Sequence, residues 1–404
     1  MVYRRLTRLI LLIIGVVVFN SGCAFTRDLF KRTPMDPSEV FDRTSSMIEK
    51  YYIDKSGNSI KLDRSKRPDV MSLVAQLDRS TEYYSPEEST SLMPSKRGAA
   101  GIALKLKDES IEIQSTMLRA PARKAGLRKG DKIVEINDIS VAGQTMPHVL
   151  SMLQGPVGSE VKFKIITPPG KERIVRVTRE IIKPFQLVVQ KMSENNLGYL
   201  RIEQFGPGTS DRVKEEIEQF LEGKVKGLIL DIRNNGGGLF SAITEVAQLF
   251  LKDGAVICTL RKNDGKEDDY WSGGWRHNIN MPVVVLIDGN TANGAEILAA
   301  SLKDNRRALL VGETSAGMVE IHTVFPLGDG SFLRLRTALA SRATGDRFNE
   351  HGIAADREII LTEEERASIY TQIETAVDGY VGNNANDRQV KVAVGILVGA
   401  DGIK

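Results

Sequence analysis

Two short runs, Leu228–Ile232 and Val283–Ile287, are apolar at nearly every position, and each leads through a glycine-containing turn into an apolar helical segment. A strand with apolar residues at successive positions needs cover on both faces. Such strands alternate with helices from Ile181 onward, which predicts an α/β core. The chain has 404 residues, enough for two or three domains. Upstream the pattern changes. Gly98–Glu180 carries short β-type runs (Ile111–Ile113, Lys132–Ile136, Val161–Ile166, Ile174–Val177) with turn signals between them. Ser38–Leu92 has helical spacing at Val40, Met47, Ile48, Val70, Leu73, Val74 and Leu77, interrupted by a Gly/Lys/Asp-rich stretch around Ser56–Pro68. The expected fold class is therefore a multidomain α+β and α/β chain.

Composition excludes several function classes. Lys+Arg number 55 against 52 Asp+Glu, and Arg4, Arg5 and Arg8 belong to a segment expected to be removed. The remainder is near neutral and has no basic stripe, which argues against nucleic-acid binding. Two cysteines exclude a disulfide scaffold and a multi-thiolate metal site. His148, His277, His322 and His351 are scattered and no His-Glu-x-x-His string exists, so no metal and no cofactor is expected.

The N-terminus reads as an export signal. Arg4, Arg5 and Arg8 precede the apolar run Leu9–Phe19, which is short for a membrane span and suits a signal-peptide core. Ser21 and Gly22 lead to Cys23 as at a bacterial lipoprotein cleavage site, with Asn20 where that site prefers Leu. A plain secretory signal and an uncleaved anchor are the alternatives. Ala24 stands where an inner-membrane retention signal has Asp, so the expected address is the bacterial cell envelope, facing the periplasm and lipid-anchored to the outer membrane. Thr26–Pro37, polar with two prolines, reads as a tether. Cys258, in a strand-like run, reads as a small buried hydrophobe.

The strings Gly101-Ile102-Ala103-Leu104, Ala125-Gly126-Leu127, Gly130-Asp131-Lys132-Ile133 and Ile136-Asn137 resemble a PDZ domain of the bacterial, circularly permuted kind. The resemblance implies that Gly101, Ile102 and Ala103, with Leu104 in the following strand, form a loop whose N–H groups take a peptide's terminal carboxylate. It also implies a helix from Met146 to Leu153 lining the groove with Val149, Leu150 and Leu153. Filling a small core is the other reading of these apolar residues.

The rest of the chain resembles the carboxyl-terminal processing, or tail-specific, serine proteases. In that family's order come Leu77-Asp78-Arg79-Ser80-Thr81-Glu82-Tyr83-Tyr84, then Gly198–Phe205, then Leu230-Asp231-Ile232-Arg233-Asn234-Asn235-Gly236-Gly237-Gly238, then Gly328–Ser331 and Gly352–Asp356. The resemblance implies a crotonase/Clp-protease-like α/β core. It divides the chain into a signal peptide (1–22), a tether (23–37), a helical N-terminal region (38–97), a PDZ-like domain (98–182), a protease-like domain (183–362) and a C-terminal helical region and tail (363–404).

The departure lies in the reacting residues. The family carries Ser-Ala-Ser-Ala-Ser-Glu-Ile, and here Thr291-Ala292-Asn293-Gly294-Ala295-Glu296-Ile297 puts Asn293 at the nucleophile's place. In the same register Met318 falls on the general-base lysine and His322 on the family's glutamine. A serine needs a neighbour to remove its proton, and a lysine does so only when burial keeps it neutral. A carboxamide is no nucleophile here, and a thioether is no base, though methionine suits an apolar pocket. Asn293 is a good helix N-cap, with a helix expected from Gly294. The oxyanion-like donors implied are backbone N–H groups at Gly237 and Gly294. The expected function is binding of C-terminal tails of envelope proteins, or partnership with an active protease relative, without peptidase activity; an oligomer is open. The alternative is an active endopeptidase with Thr291 or Ser315 as nucleophile and His322 as base.

Overall fold

The computed structural model describes residues 35–78, 80–89, 98–107, 110–116, 120–181, 187–192, 195–273, 279–348, 350–375 and 387–399. The expected signal peptide, Cys23, most of the tether and His277 lie outside the described residues. Among the described residues no helix is long and apolar enough to cross a membrane. The chain divides into two compact units. The first contains the described residues up to 181 together with 262–265 and 321–338, and the second contains the others.

In the first unit, helix α1 (Pro37–Tyr51) starts at Asp36, whose carboxylate accepts the Ser38 N–H at 2.7 Å while Glu39 accepts the Asp36 N–H at 3.3 Å. This reciprocal cap satisfies two of the donors a helix start leaves open. Helix α2 (Val70–Val74) follows the Gly/Lys/Asp-rich stretch, which is not helical. The next segment, within the range expected to be helical, forms strand β1 (Glu82–Tyr84) instead. Its pairing partners are some 250 residues away (Glu82 opposite Arg334), a contact that local periodicity does not report.

The PDZ-like part forms as expected. It runs β2 (Ile102–Lys107), β3 (Ser110–Thr116), α3 (Pro121–Lys124), β4 (Lys132–Ile136), β5 (Ile139–Ser140), α4 (Met146–Leu153), β6 (Glu160–Thr167) and β7 (Lys171–Thr178). The sheet order is β2-β3-β4-β6-β7, with β5 on β4. In β6, Val161, Phe163 and Ile165 alternate into the core, as a half-covered strand requires. The motif residues are structural: Asp131 accepts the Arg128 N–H at 2.9 Å and the Thr167 hydroxyl at 2.7 Å, and Asn137, at φ 52°, makes the turn into β5. Buried Arg179 caps the end of α4, donating to the carbonyls of Met152 at 3.0 Å and Leu153 at 3.1 Å.

The second unit begins with β8 (Leu187–Met192), β9 (Leu197–Ile202), α5 (Thr209–Glu222), β10 (Gly227–Asp231) and α6 (Phe240–Phe250). It continues with β11 (Val256–Arg261), β12 (Glu267–Trp271), β13 (Val283–Ile287), α7 (Gly294–Asp304) and β14 (Ala308–Gly312). The chain then forms β15 (Ile321–Pro326) and β16 (Phe332–Ser341), and ends in β17 (Arg357–Glu358), α8 (Glu363–Thr375) and α9 (Arg388–Gly399). The order β17-β14-β13-β10-β9-β8 is parallel except for the β8–β9 pair. Every residue of β10 and β13 is buried, as the apolar runs predict. A side chain at Gly227 would meet Leu397 of α9 at 3.1 Å, and one at Gly198 would meet Phe220 of α5 at 3.0 Å. Gly198 pairs with Leu228, next to Gly227, so α9 and α5 cover opposite faces.

One segment is grouped differently from the sequence-based division. Residues 321–338, placed within 183–362, belong to the first unit, because Leu327, Leu333 and Leu335 share a core with Val40, Phe41 and Ile48 of α1. Buried Arg336 pairs with Asp78, which also accepts the Tyr52 hydroxyl at 2.7 Å.

The C-terminal end of strands β9 and β10, inside the sheet, is locked by charge. Asp231, at the end of β10, is fully buried and accepts from Arg201 at 3.0 Å, Arg233 at 2.6 Å and the Tyr199 hydroxyl at 2.6 Å. Arg233 also meets Asp387 at 3.0 Å and Gln389 at 2.9 Å, tying α9 to the same cluster. Burial pushes the Asp231 carboxyl up, but Arg233 and Arg201 beside it hold it well below the usual carboxylate range. Such a group stabilises the fold above its unfolded-chain pKa of about 3.9, and the contribution is lost as pH falls below that. Asp231→Asn leaves two buried guanidinium groups short of charge. It is expected to cost about 3–5 kcal/mol in denaturant unfolding at neutral pH and to flatten the acid limb of the stability profile.

Candidate functional site

The site is built where β13 and β10 end. After β13, the Asp288 carboxylate accepts the N–H groups of Asn234 at 2.9 Å and Asn290 at 3.0 Å, and Thr291 Oγ1 accepts the Asp288 N–H at 3.0 Å. This folds the turn so that Asn293 precedes α7. Asn293 has φ 52° and ψ −122°, a backbone conformation that side-chain-bearing residues rarely hold without compensation.

The compensation comes from Glu296, one turn into α7 and fully buried. Its carboxylate accepts four donors: the N–H of Asn293 at 3.1 Å, the N–H of Met318 at 2.9 Å, the N–H of Gly317 at 2.8 Å and the Ser315 hydroxyl at 2.6 Å. The Asn293 N–H is shared with the Met318 carbonyl at 3.1 Å. Burial pushes the Glu296 carboxyl up from its ordinary value while these donors pull it back. A buried carboxylate is tolerated only with such partners.

The glycine-rich loop after β10 approaches from the other side. Asn235 is fully buried, its carbonyl accepts the Ala292 N–H at 2.9 Å and its Oδ1 accepts the Gly237 N–H at 2.8 Å. A side chain at Gly237 would lie 2.9 Å from the Gly294 nitrogen, one at Gly294 would meet Ile243 at 2.0 Å, and one at Gly238 would meet the Phe205 carbonyl at 1.9 Å. At Gly237 and Gly238 the loop is therefore in close backbone contact that favours glycine, whereas at Gly294 the neighbour is the tip of the Ile243 side chain. Asn293, Gly294 and Gly237 come together at this point.

Residues 196–359 match the model of Peptidase family S41, and residues 115–167 match that of the PDZ domain. The carboxy-terminal-processing protease of Bartonella bacilliformis is 31% identical over 297 residues, covering 71% of this chain and 68% of that one. The chain belongs to peptidase family S41. Other S41 relatives are the chloroplastic C-terminal processing peptidase of Tetradesmus obliquus, 29% identical over 76% of this chain and 74% of that one, and the carboxy-terminal processing protease CtpA of Bacillus subtilis, 27% identical over 88% and 76%. Among solved structures, the photosystem II D1 C-terminal processing protease superposes with a TM-score of 0.70 at 24% identity, over 86% of this chain and all of that one, and so shares its fold.

The remaining sequence-derived candidates of this S41 chain are placed as follows. Met318 meets Asn293 through its backbone, but its side chain is 44% exposed and does not fill an apolar pocket, because the main chain and not the thioether is anchored. Gly237 presents its N–H to Asn235 Oδ1, so that group is engaged within the protein. His322 lies on β15 in the first unit, its Nδ1 3.2 Å from Arg334 Nη2. The Thr291 hydroxyl is fully buried and donates to the Ile232 carbonyl at 3.0 Å, and the Ser315 hydroxyl donates to Glu296 and accepts the Ile353 N–H at 2.7 Å. In the PDZ-like part, β2 is the end strand of its sheet. Val149 and Leu153 are core residues, Gly101 is buried, Ala103 is exposed, and Ile102, Leu104 and Leu150 are partly buried against that core. Burial pushes the Cys258 thiol up to about 12. Among the described residues no cluster of His, Cys, Asp or Glu could hold a metal ion.

Sequence reading used Glu296 only to set the register and missed its four partners. Its spacing three residues after Asn293 is that of a capping box, a signal that was available. Glu296→Gln turns two of the facing N–H groups toward an amide NH2. It is expected to lower stability by at least about 2 kcal/mol in denaturant titration, with Asn293→Ala costing less.

Proposed function

We propose that this S41 chain is an exported, Cys23-anchored envelope protein that holds the extended C-terminal tails of other proteins without hydrolysing them. The observation that carries this reading is Asn293 at the strained head of α7, against Gly294 and the Gly237 loop. Strain of that kind is kept where a side chain must be presented to a reacting partner. Here the presented group is a carboxamide, and the residue joined to it by a backbone hydrogen bond, Met318, ends in a thioether. Neither supplies a nucleophile or a base. The relatives' printed names describe processing of C-termini, and β2 offers the sheet edge to which an extended tail adds. Thr291 and Ser315 favour no relocated nucleophile, since both hydroxyls are buried and donate to structural acceptors.

The test is incubation of the protein, truncated before Cys23, with a long peptide bearing an apolar free C-terminus, followed by binding titration and mass spectrometry. Saturable binding of an intact peptide is expected, whereas cleavage that disappears in Thr291→Ala or Ser315→Ala would overturn the reading. Asn293→Ser combined with Met318→Lys tests how far the loss extends: the exposure of the 318 side chain predicts that the double variant stays inactive, and recovered cleavage would mean that the loss is confined to these two side chains. For the anchor, Cys23→Ala is expected to move the protein from the membrane fraction to the soluble envelope fraction, and an unchanged membrane fraction argues against lipid at Cys23.

A further inference from the structure

Asn293 is followed by Gly294, and the backbone between them has an unusual consequence. Around the Cα–C bond of an L-residue, Cβ lies about 120° from the residue's own nitrogen, so a ψ near −120° eclipses Cβ with the next residue's nitrogen. Asn293 has ψ −122°. The Gly294 nitrogen therefore already occupies the place it takes in a five-membered ring with Cα, Cβ and Cγ of Asn293 and the intervening carbonyl carbon. Normally this conformation is a cost of reaching the ring, and here the fold maintains it. Gly294 is buried but has no side chain of its own beside the nitrogen, and the nearest atom to a Cβ there would be the tip of Ile243. Asn293 is only partly buried, and its Nδ2 makes one long hydrogen bond, to the Gly236 carbonyl at 3.2 Å.

We propose that Asn293 is a site of self-modification, converting in the folded protein to aspartate and isoaspartate through a succinimide. The Gly294 nitrogen attacks Cγ of Asn293 as its proton passes to water. A C–N bond forms, the Cγ–Nδ2 bond breaks, and Nδ2 takes up a proton and leaves as ammonia. Water then opens the ring at Cγ to give aspartate, or at the main-chain carbonyl to give isoaspartate. Nothing is oxidised or reduced, and the net exchange is one ammonia lost for one water gained. The product places a new negative charge at the N-terminus of α7, where the helix dipole favours it. The proposal rests on backbone conformation and holds whether or not the chain cleaves peptides.

The chain contains its own control. Asn235 also precedes a glycine, but its amide is pinned in the buried loop, Nδ2 donating to the Ile202 carbonyl at 2.8 Å and Oδ1 accepting the Gly237 N–H at 2.8 Å. The experiment is peptide mapping by mass spectrometry after the folded protein stands at mildly alkaline pH in ordinary or heavy-oxygen water, with a parallel sample held in denaturant. Conversion at residue 293 with uptake of one solvent oxygen is expected, at least about tenfold faster folded than unfolded, a difference of about 1.4 kcal/mol in barrier. Asn235 is expected to stay an amide while folded. Asn293→Gln, which needs a larger ring, is expected to show no acidic charge shift while it remains folded. Equal or faster conversion in denaturant, equal conversion at Asn235, or scission between 293 and 294 with the side-chain amide retained would each overturn the proposal.

Discussion

The head of α7 is held by one carboxylate. Taking Glu296 out of water costs several kcal/mol on its own, and the cost is tolerable because four donors converge on two oxygens. Those donors come from the turn after β13 and from the segment after β14, so a single side chain sets the distance between Asn293 and residues 315–318. The same segment is clamped from behind. A side chain at Gly317 would meet the Glu350 carbonyl at 2.4 Å and one at Gly352 would meet the Ser315 carbonyl at 2.3 Å. The Asp231 cluster does for β9, β10 and α9 what Glu296 does for α7: mostly apolar buried strands have their ends fastened by charge.

Much of this was legible in the sequence, for reasons that are local. β10 and β13 betray themselves because strands covered on both faces have nowhere to put polar side chains. The PDZ-like part is legible because its turns need particular residues, such as Asn137 at a positive φ and Asp131 closing the loop before β4. Asn293 as the residue before α7 follows from the short polar side chain ahead of an apolar helix.

What escaped depends on contacts distant in sequence. The short strand β1 exists because Arg334 and its neighbours supply an edge, and residues 321–338 join the first unit because α1 buries their leucines. In the site, the register of Asn293 and Met318 is readable, yet no spacing reveals that Met318 is anchored by its main chain with its side chain exposed, or that Asn235 occupies the Gly237 N–H. Val149 and Leu153 show the same limit: helical periodicity identifies an apolar face without saying whether a core or a ligand covers it.

The contact between the Gly237 loop and α7 is made of main chain, and so are the links from Met318 to Asn293 and Glu296, apart from one carboxylate. The side chain at 318 can therefore be exchanged without disturbing the shape around it, whereas a methyl group added at Gly238 would run into the Phe205 carbonyl. The two parts of such a site differ in how much substitution they tolerate. The side chains such a mould presents can change by single substitutions, while the main-chain mould itself tolerates few.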